Sequence, residues 1–203
     1  MDLSQLQAVL LDMDGTLVDS DAAVERAWRA WADRHGIDLA TVLAIAHGSP
    51  GERTIRRLLP EATDAEVAAQ TASQLALEYD DLDDVTATPG AAELVAALDR
   101  LGLPWAVVTS ADTRLAKARL AAAGITAPVL VTTDDVAAGK PDPAGYLRAA
   151  ELLEVTPGRC LVVEDAEVGL VAARAAGART AALRGLDGDL RLTDLGELAA
   201  LLS

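Results

Sequence analysis

Two pairs of carboxylates are the residues of this chain best placed to do chemistry. Asp12 and Asp14 stand in Asp12-Met13-Asp14-Gly15-Thr16, directly after the apolar run 8–11. Glu164 and Asp165 follow the apolar run 160–163. Between the pairs lie Thr109 and Ser110, which close the run 105–108, and Lys140 in Gly139-Lys140-Pro141-Asp142-Pro143. In open parallel sheets, ligands gather at the carboxyl ends of the strands. Two aspartates two residues apart at such an end can face one site, with Gly15 letting the chain turn sharply. Each group also has a plain structural reading. The D-x-D pattern suits a solvated acidic turn, Ser110, Asp112 or Asp165 could cap the helix that follows, and Lys140 could be a surface lysine. No glycine stands five positions before Gly139, so this is not the phosphate loop of nucleotide-binding proteins.

The four groups gain meaning together. Ionised Asp12, Asp14, Glu164 and Asp165 would repel one another without a cation, and oxygen-only donors suit a hard divalent ion such as Mg²⁺. Mg²⁺ and Lys140 would bring the local charge from four negative to one negative, and protonating one aspartate would make it neutral. Such a site can receive a phosphate dianion inside an otherwise acidic protein.

The elements that must position these residues are legible as strand–helix alternation. Short apolar runs at 8–11, 105–108, 129–131, 160–163 and 180–183 predict buried parallel strands, and amphipathic stretches at 91–101, 113–123, 144–153 and 168–176 predict helices between the later ones. Gly102, Gly124 and Gly177 follow three of these helices directly, where a left-handed cap wants glycine. The expected class is α/β, a Rossmann-like parallel sheet covered on both faces. From Ser20 to about Ala87 the periodicity is helical only, broken at His47-Gly48-Ser49-Pro50-Gly51 and Leu59-Pro60. Roughly 65 residues is too long for an ordinary connection, so residues 20–87 are expected to form an inserted helical subdomain. Residues 1–19 and 88–203 then form the core.

Composition narrows the function classes. The chain has 203 residues, 17 Lys and Arg against 32 Asp and Glu, and a formal net charge of −15. That balance argues against nucleic-acid binding, which depends on basic residues neutralising phosphates, and against an anionic membrane surface. No apolar stretch is long enough to span a membrane, and no signal-like segment opens the chain. With Cys160 the only cysteine, no internal disulfide can form, and a cytoplasmic protein is expected. Phe is absent and aromatics are 2%, so the core must pack on Leu, Val, Ile and Ala, without a stacking platform for bases.

Taken in order, the motifs resemble those of the haloacid dehalogenase superfamily of phosphotransferases. Asp12-Met13-Asp14-Gly15-Thr16 is similar to its first motif, Thr109 to the second, Lys140 to the third and Glu164-Asp165 to the fourth, with a helical cap inserted after the first. The resemblance implies strand order 5-4-1-2-3, which places strands 4 and 2 beside strand 1. It implies Asp12 as nucleophile, Asp14 as general acid and then base, Thr109 and the backbone N–H of Ser110 as phosphate holders, and Lys140 as charge neutraliser. Mg²⁺ would be held by Asp12, the Asp14 main-chain carbonyl and Asp165, with Glu164 acting through water. Asp14 would gain its proton from an environment changed by cap closure.

Single positions separate related chemistries. Members that cleave carbon–halogen bonds lack the second aspartate, present here as Asp14. Members that cleave phosphonates use a cap lysine, whereas no lysine precedes Lys117. Hexose-phosphate mutases carry histidine where this chain has Val24. The loop His47-Gly48, with Arg53 and Thr54-Ile55, resembles that of glycerol-phosphate and 2-deoxyglucose-6-phosphate phosphatases. It implies His47, Gly48 and Arg53 as contacts for the leaving group, with Glu78 a further candidate. The expected activity is Mg²⁺-dependent hydrolysis of small sugar or polyol phosphates by a monomer. Alternatives are a phosphatase for phosphoglycolate or another small metabolite, a sugar-phosphate mutase, or a non-enzymatic phospho-receiver or regulatory module. A receiver would need neither Asp14 nor a helical insert.

Overall fold

A computed structural model of the chain describes residues 3–203. The first half runs β1 (Ala8–Leu11), β2 (Val18–Asp19), α1 (Asp21–His35), α2 (Leu39–Ala46), α3 (Gly51–Leu58), α4 (Asp64–Tyr79) and β3 (Thr86–Ala87). The second half runs α5 (Ala91–Leu101), β4 (Trp105–Val108), α6 (Thr113–Ala122), β5 (Leu130–Val131), α7 (Ala144–Leu152), β6 (Cys160–Glu164), α8 (Glu167–Ala175), β7 (Arg179–Ala182), β8 (Leu190–Arg191) and α9 (Leu195–Leu202). The main sheet has the order β5-β4-β1-β6-β7-β8, with every pairing parallel. Its five expected strands stand in the expected order. The sixth, β8, extends the edge beyond β7; its two residues are too short to carry a period-two signal.

Strand alternation sorts the sheet residues into two apolar layers. Val9, Leu11, Val107, Leu161 and Val163 pack under residues of α5, α6 and α9, including Leu94, Leu115 and Leu198. Ala8, Leu10, Ala106, Val108, Cys160 and Val162 face the other way, onto Tyr146 of α7 and Ala172 of α8. Strands covered on both faces have no solvent side, which is why they read as continuous apolar runs rather than as alternation. Trimming such a residue, for example Leu10→Ala, would cost about 2–5 kcal/mol.

Helices α1–α4 build a separate apolar cluster around Trp28, Trp31, Val42, Ile55 and Val67. No strand is expected from the sequence within residues 20–87, and β3 corrects that. It pairs antiparallel with β2, Val18 with Ala87 and Asp19 with Thr86, where the chain leaves the sheet and where it returns. Among the described residues, no helix is long and apolar enough to cross a membrane.

Candidate active site

The carboxyl ends of β1, β4 and β6 adjoin because β1 lies between the other two. That adjacency brings together groups far apart in sequence. The Lys140 ammonium donates to Asp12 Oδ1 at 2.5 Å, Glu164 Oε1 at 2.7 Å and the Val108 carbonyl at 3.0 Å. Three donors meet three acceptors, so the buried lysine is fully satisfied. Tyr146 adds its hydroxyl to Glu164 Oε1 at 2.5 Å. Lys140 is therefore not a surface residue.

The plain alternatives resolve in the same way. Asp112 caps α6, accepting from Leu115 N at 2.8 Å, which leaves Thr109 and Ser110 free to line a cavity with Asp12 and Asp14. Helix α8 has Ala166 at its cap position with no side-chain capping bond, so Asp165 does not serve there. Instead one carboxylate oxygen from each of Asp12, Glu164 and Asp165 lies within 4.8 Å of the others. The tight packing depends on Gly15, at φ +79°, where a Cβ would stand 2.1 Å from Asp165 Oδ2.

Crowded carboxylates in a buried place hold protons more firmly. Burial pushes the Asp12 carboxyl well above the usual range, Glu164 adds to the push, and Lys140 opposes it. Asp165 is pushed up to about 7 by burial and Glu164, against the opposing charge of Arg184. Burial works against the Lys140 ammonium, but Asp12 and Glu164 outweigh it and hold that group charged.

The structure divides the remaining site residues expected from the sequence. Asp14 points elsewhere than the other carboxylates: its Oδ1 accepts from Ser20 Oγ at 2.6 Å and pairs with Arg119 at 3.0 Å. His47 and Gly48 line the same cavity as Asp12 and Thr109. Ser110 Oγ donates to the Gly48 carbonyl at 2.9 Å, tying the helical insert to the sheet. Gly48 is pressed so close that a Cβ there would come 2.5 Å from the Ala166 Cβ. Arg53 lies apart, in an adjoining cavity of about 340 Å³ that shares His47, Ser49 and Asp165 with the first. Arg57 and Arg184 line that second cavity too.

Sequence reasoning missed Arg119, Arg184, Tyr146, Ser20 and Gln74. Arg184 pairs with Asp165 at 3.0 Å and with Asp21 at 2.9 Å. Arg119 had a legible signal: it shares the buried face of α6 with Leu115, Ala116 and Leu120, where an unpartnered charge would be costly. Gln74 and Glu78 likewise continue the buried stripe that Val67 begins on α4.

A parallel sheet whose central strand ends in a lysine-held aspartate, with further carboxylates gathered beside it, defines an α/β protein of the Rossmann-like class with a candidate active site at its strand ends. Residues 6–177 match the haloacid dehalogenase-like hydrolase family, and the chain belongs to it. Hexitol phosphatase A of Escherichia coli is 43% identical over 175 residues, covering 86% of this chain and 81% of that protein. 2-Deoxyglucose-6-phosphate phosphatase 1 of Saccharomyces cerevisiae is 35% identical over 189 residues, covering 84% and 77%. Among solved structures, a hydrolase from Pseudomonas syringae superposes with a TM-score of 0.82 at 30% identity, covering 90% of this chain and 87% of that one.

Proposed function

We propose that this protein is a Mg²⁺-dependent phosphomonoesterase acting on small sugar or polyol phosphates through an aspartyl-phosphate. The observation that carries the reading is the Lys140–Asp12 pair at the mouth of β1, opening into a cavity shared with Thr109 and Asp14. Asp12 attacks phosphorus as the ester P–O bond breaks, and Asp14 gives its proton to the departing oxygen. Asp14 then takes a proton from water as that water displaces Asp12 and releases phosphate. Thr109 and the Ser110 main-chain N–H hold phosphate oxygens, and Lys140 offsets the charge between Asp12 and the incoming dianion.

The donor set fits Mg²⁺. Asp165 Oδ1 is buried without a hydrogen-bond partner, in a cluster of oxygen ligands only. Asp12, Asp165 and the Asp14 main-chain carbonyl would hold the ion, with Glu164 acting through water. When bound, the ion supplies positive charge against the phosphate oxygens. Chelation should abolish turnover and added Mg²⁺ restore it. Because Asp165 keeps its proton below about pH 7, Mg²⁺ must displace that proton on the acid side. Calorimetric affinity should therefore tighten as pH rises from about 6 to 8, most steeply below 7. A flat profile would remove Asp165 from the ligand set.

Residues 20–87 act as a cap over a core of 1–19 and 88–203 in this reading, and cap residues choose the leaving group. Because the cap gives the site its own cover, no partner subunit is required and the protein works as a monomer. Cys160, buried and unpaired, suits the reducing cytoplasm. Val24 lines the catalytic cavity at the position that is histidine in the family's hexose-phosphate mutases, which favours hydrolysis over transfer. His47 and Gly48 meet the near part of the leaving group, and Arg53 only its far part. Arg53→Ala should lower kcat/KM for the best sugar or polyol phosphate by about 10- to 100-fold and touch a small aryl phosphate much less. A phosphate-release screen over sugar, polyol, glycolate and nucleotide monophosphates tests the substrate class. Hexitol and hexose phosphates should lead, and preference for glycolate or nucleotides would refute it.

A further inference from the structure

Arg119 takes no part in the chemistry above, yet it is the most heavily committed cation near Asp14. Its side chain is 3% exposed, on α6 beside the sheet. One arm of the guanidinium pairs with Asp14 Oδ1 at 3.0 Å and the other with Glu78 Oε2 at 2.6 Å. Glu78 belongs to α4 of the helical insert and is itself buried, its other oxygen accepting from the buried Gln74 amide. The next residue, Tyr79, donates its hydroxyl to Asp112 at the head of α6. Arg119 Nε is buried with no partner. A single guanidinium thus bridges a carboxylate at the end of β1 and one on α4.

Stability is a poor explanation for this triad. Buried ion pairs gain little over well-packed apolar residues, and the Nε left unpaired adds a cost. Geometry offers a better one. The cavity under α4 has a volume of about 80 Å³, well below the roughly 300–1,000 Å³ of ligand sites. Even with the adjoining cavity of about 340 Å³ that shares His47, Ser49 and Asp165, the room beside Asp14 is set by where the helical insert, and Glu78 with it, is seated. Arginine's planar fork can grip both oxygens of one carboxylate or one oxygen each of two. With Glu78 seated, the second arm is occupied, and both contacts to Asp14 fall on Oδ1. With Glu78 withdrawn, that arm is free to take Asp14 Oδ2 as well.

We infer that Arg119 is a positioning residue for Asp14, and that Glu78 makes this positioning conditional on α4 being seated: by engaging one arm of the guanidinium, Glu78 confines the arginine to Oδ1 of Asp14 and leaves Oδ2 for the reacting proton. Proton donation to the leaving group is then available only in the closed enzyme. The inference rests on Asp14 being the proton donor, and the test separates the two.

Kinetics of Glu78→Gln, Arg119→Lys and Asp14→Asn would be measured with Mg²⁺ on the best alkyl phosphate from the screen and on 2,4-dinitrophenyl phosphate, whose leaving group needs no proton. Glu78→Gln keeps the shape of the side chain and an acceptor oxygen but removes the charge that holds the second arm of the guanidinium, and Arg119→Lys keeps the charge but cannot bridge two carboxylates. Each should lower kcat on the alkyl ester about 10- to 100-fold with KM little changed, and kcat on the aryl ester less than about threefold. Once Asp14→Asn is in place, adding Glu78→Gln should have no further effect on the alkyl ester, a non-additivity that a merely structural role would not produce. Equal losses on both esters, a change in KM alone, or additive losses in the double variant would overturn the inference. If Asp14→Asn itself slowed both esters alike, the proton-donor reading would fail first and take the inference with it. Melting temperatures identify any variant that fails to fold; Glu78→Gln alone then decides the matter.

Discussion

Asp12→Asn is expected to leave a folded protein with no measurable turnover of any phosphate ester. The substitution removes the nucleophile, and with it one carboxylate of the proposed Mg²⁺ site, while leaving the packing in place. Asparagine has the shape of aspartate, and its carbonyl oxygen can still accept from the Lys140 ammonium, now 2.5 Å from Asp12 Oδ1. It also takes one negative charge out of a buried place where burial and Glu164 already push the Asp12 carboxyl well above its usual range. Melting temperature should therefore stay level or rise. Turnover should fall by about 10⁵-fold or more, the scale seen when the nucleophile of a covalent mechanism is lost. Rapid acid quenching with labelled substrate should trap phosphate on the native chain and none on the variant. A phosphoenzyme that survives Asp12→Asn would place the nucleophile elsewhere.

What could be read from the sequence follows from which physical signals are local. The buried strands were legible because double coverage writes continuous apolar runs into β1, β4 and β6. The site was legible because its residues sit at the ends of those strands, so finding the strands also found Asp12, Thr109 and Glu164. The strands β2, β3 and β8 were not, since two residues carry no period and their pairing depends on the assembled sheet. Arg119 and Glu78 lie in the middle of helices, where charged residues normally face water. Only the partner brought by folding explains their burial. Arg53 shows how far proximity in sequence carries. Six residues beyond His47, it lines the adjoining cavity, which His47 shares with the first.

Lys140→Met should destroy activity on all esters alike and make stability strongly dependent on pH. Among the described residues, the ammonium is the only cation within hydrogen-bond reach of both Asp12 and Glu164, and methionine fills its volume with no charge. Removing one partner of a buried ion pair costs about 3–5 kcal/mol because the other is left uncompensated, and here two carboxylates lose it together. Lys140 also opposes the upward push on the Asp12 carboxyl, so without it that group holds its proton more firmly still. A carboxyl raised in the folded state favours folding while protonated, and the benefit fades as pH rises through its folded value. The deficit of the variant against the native protein should thus be small in mild acid and grow toward alkaline pH, read from urea unfolding at about pH 5 and 8. Adding Glu164→Gln, which keeps the acceptor for Tyr146 and removes a charge, should recover part of the stability but none of the turnover, since the incoming phosphate still meets Asp12 with no cation between them. A deficit independent of pH would mean the cost is packing rather than charge. Loss confined to large sugar phosphates would move Lys140 from the phosphate to the leaving group.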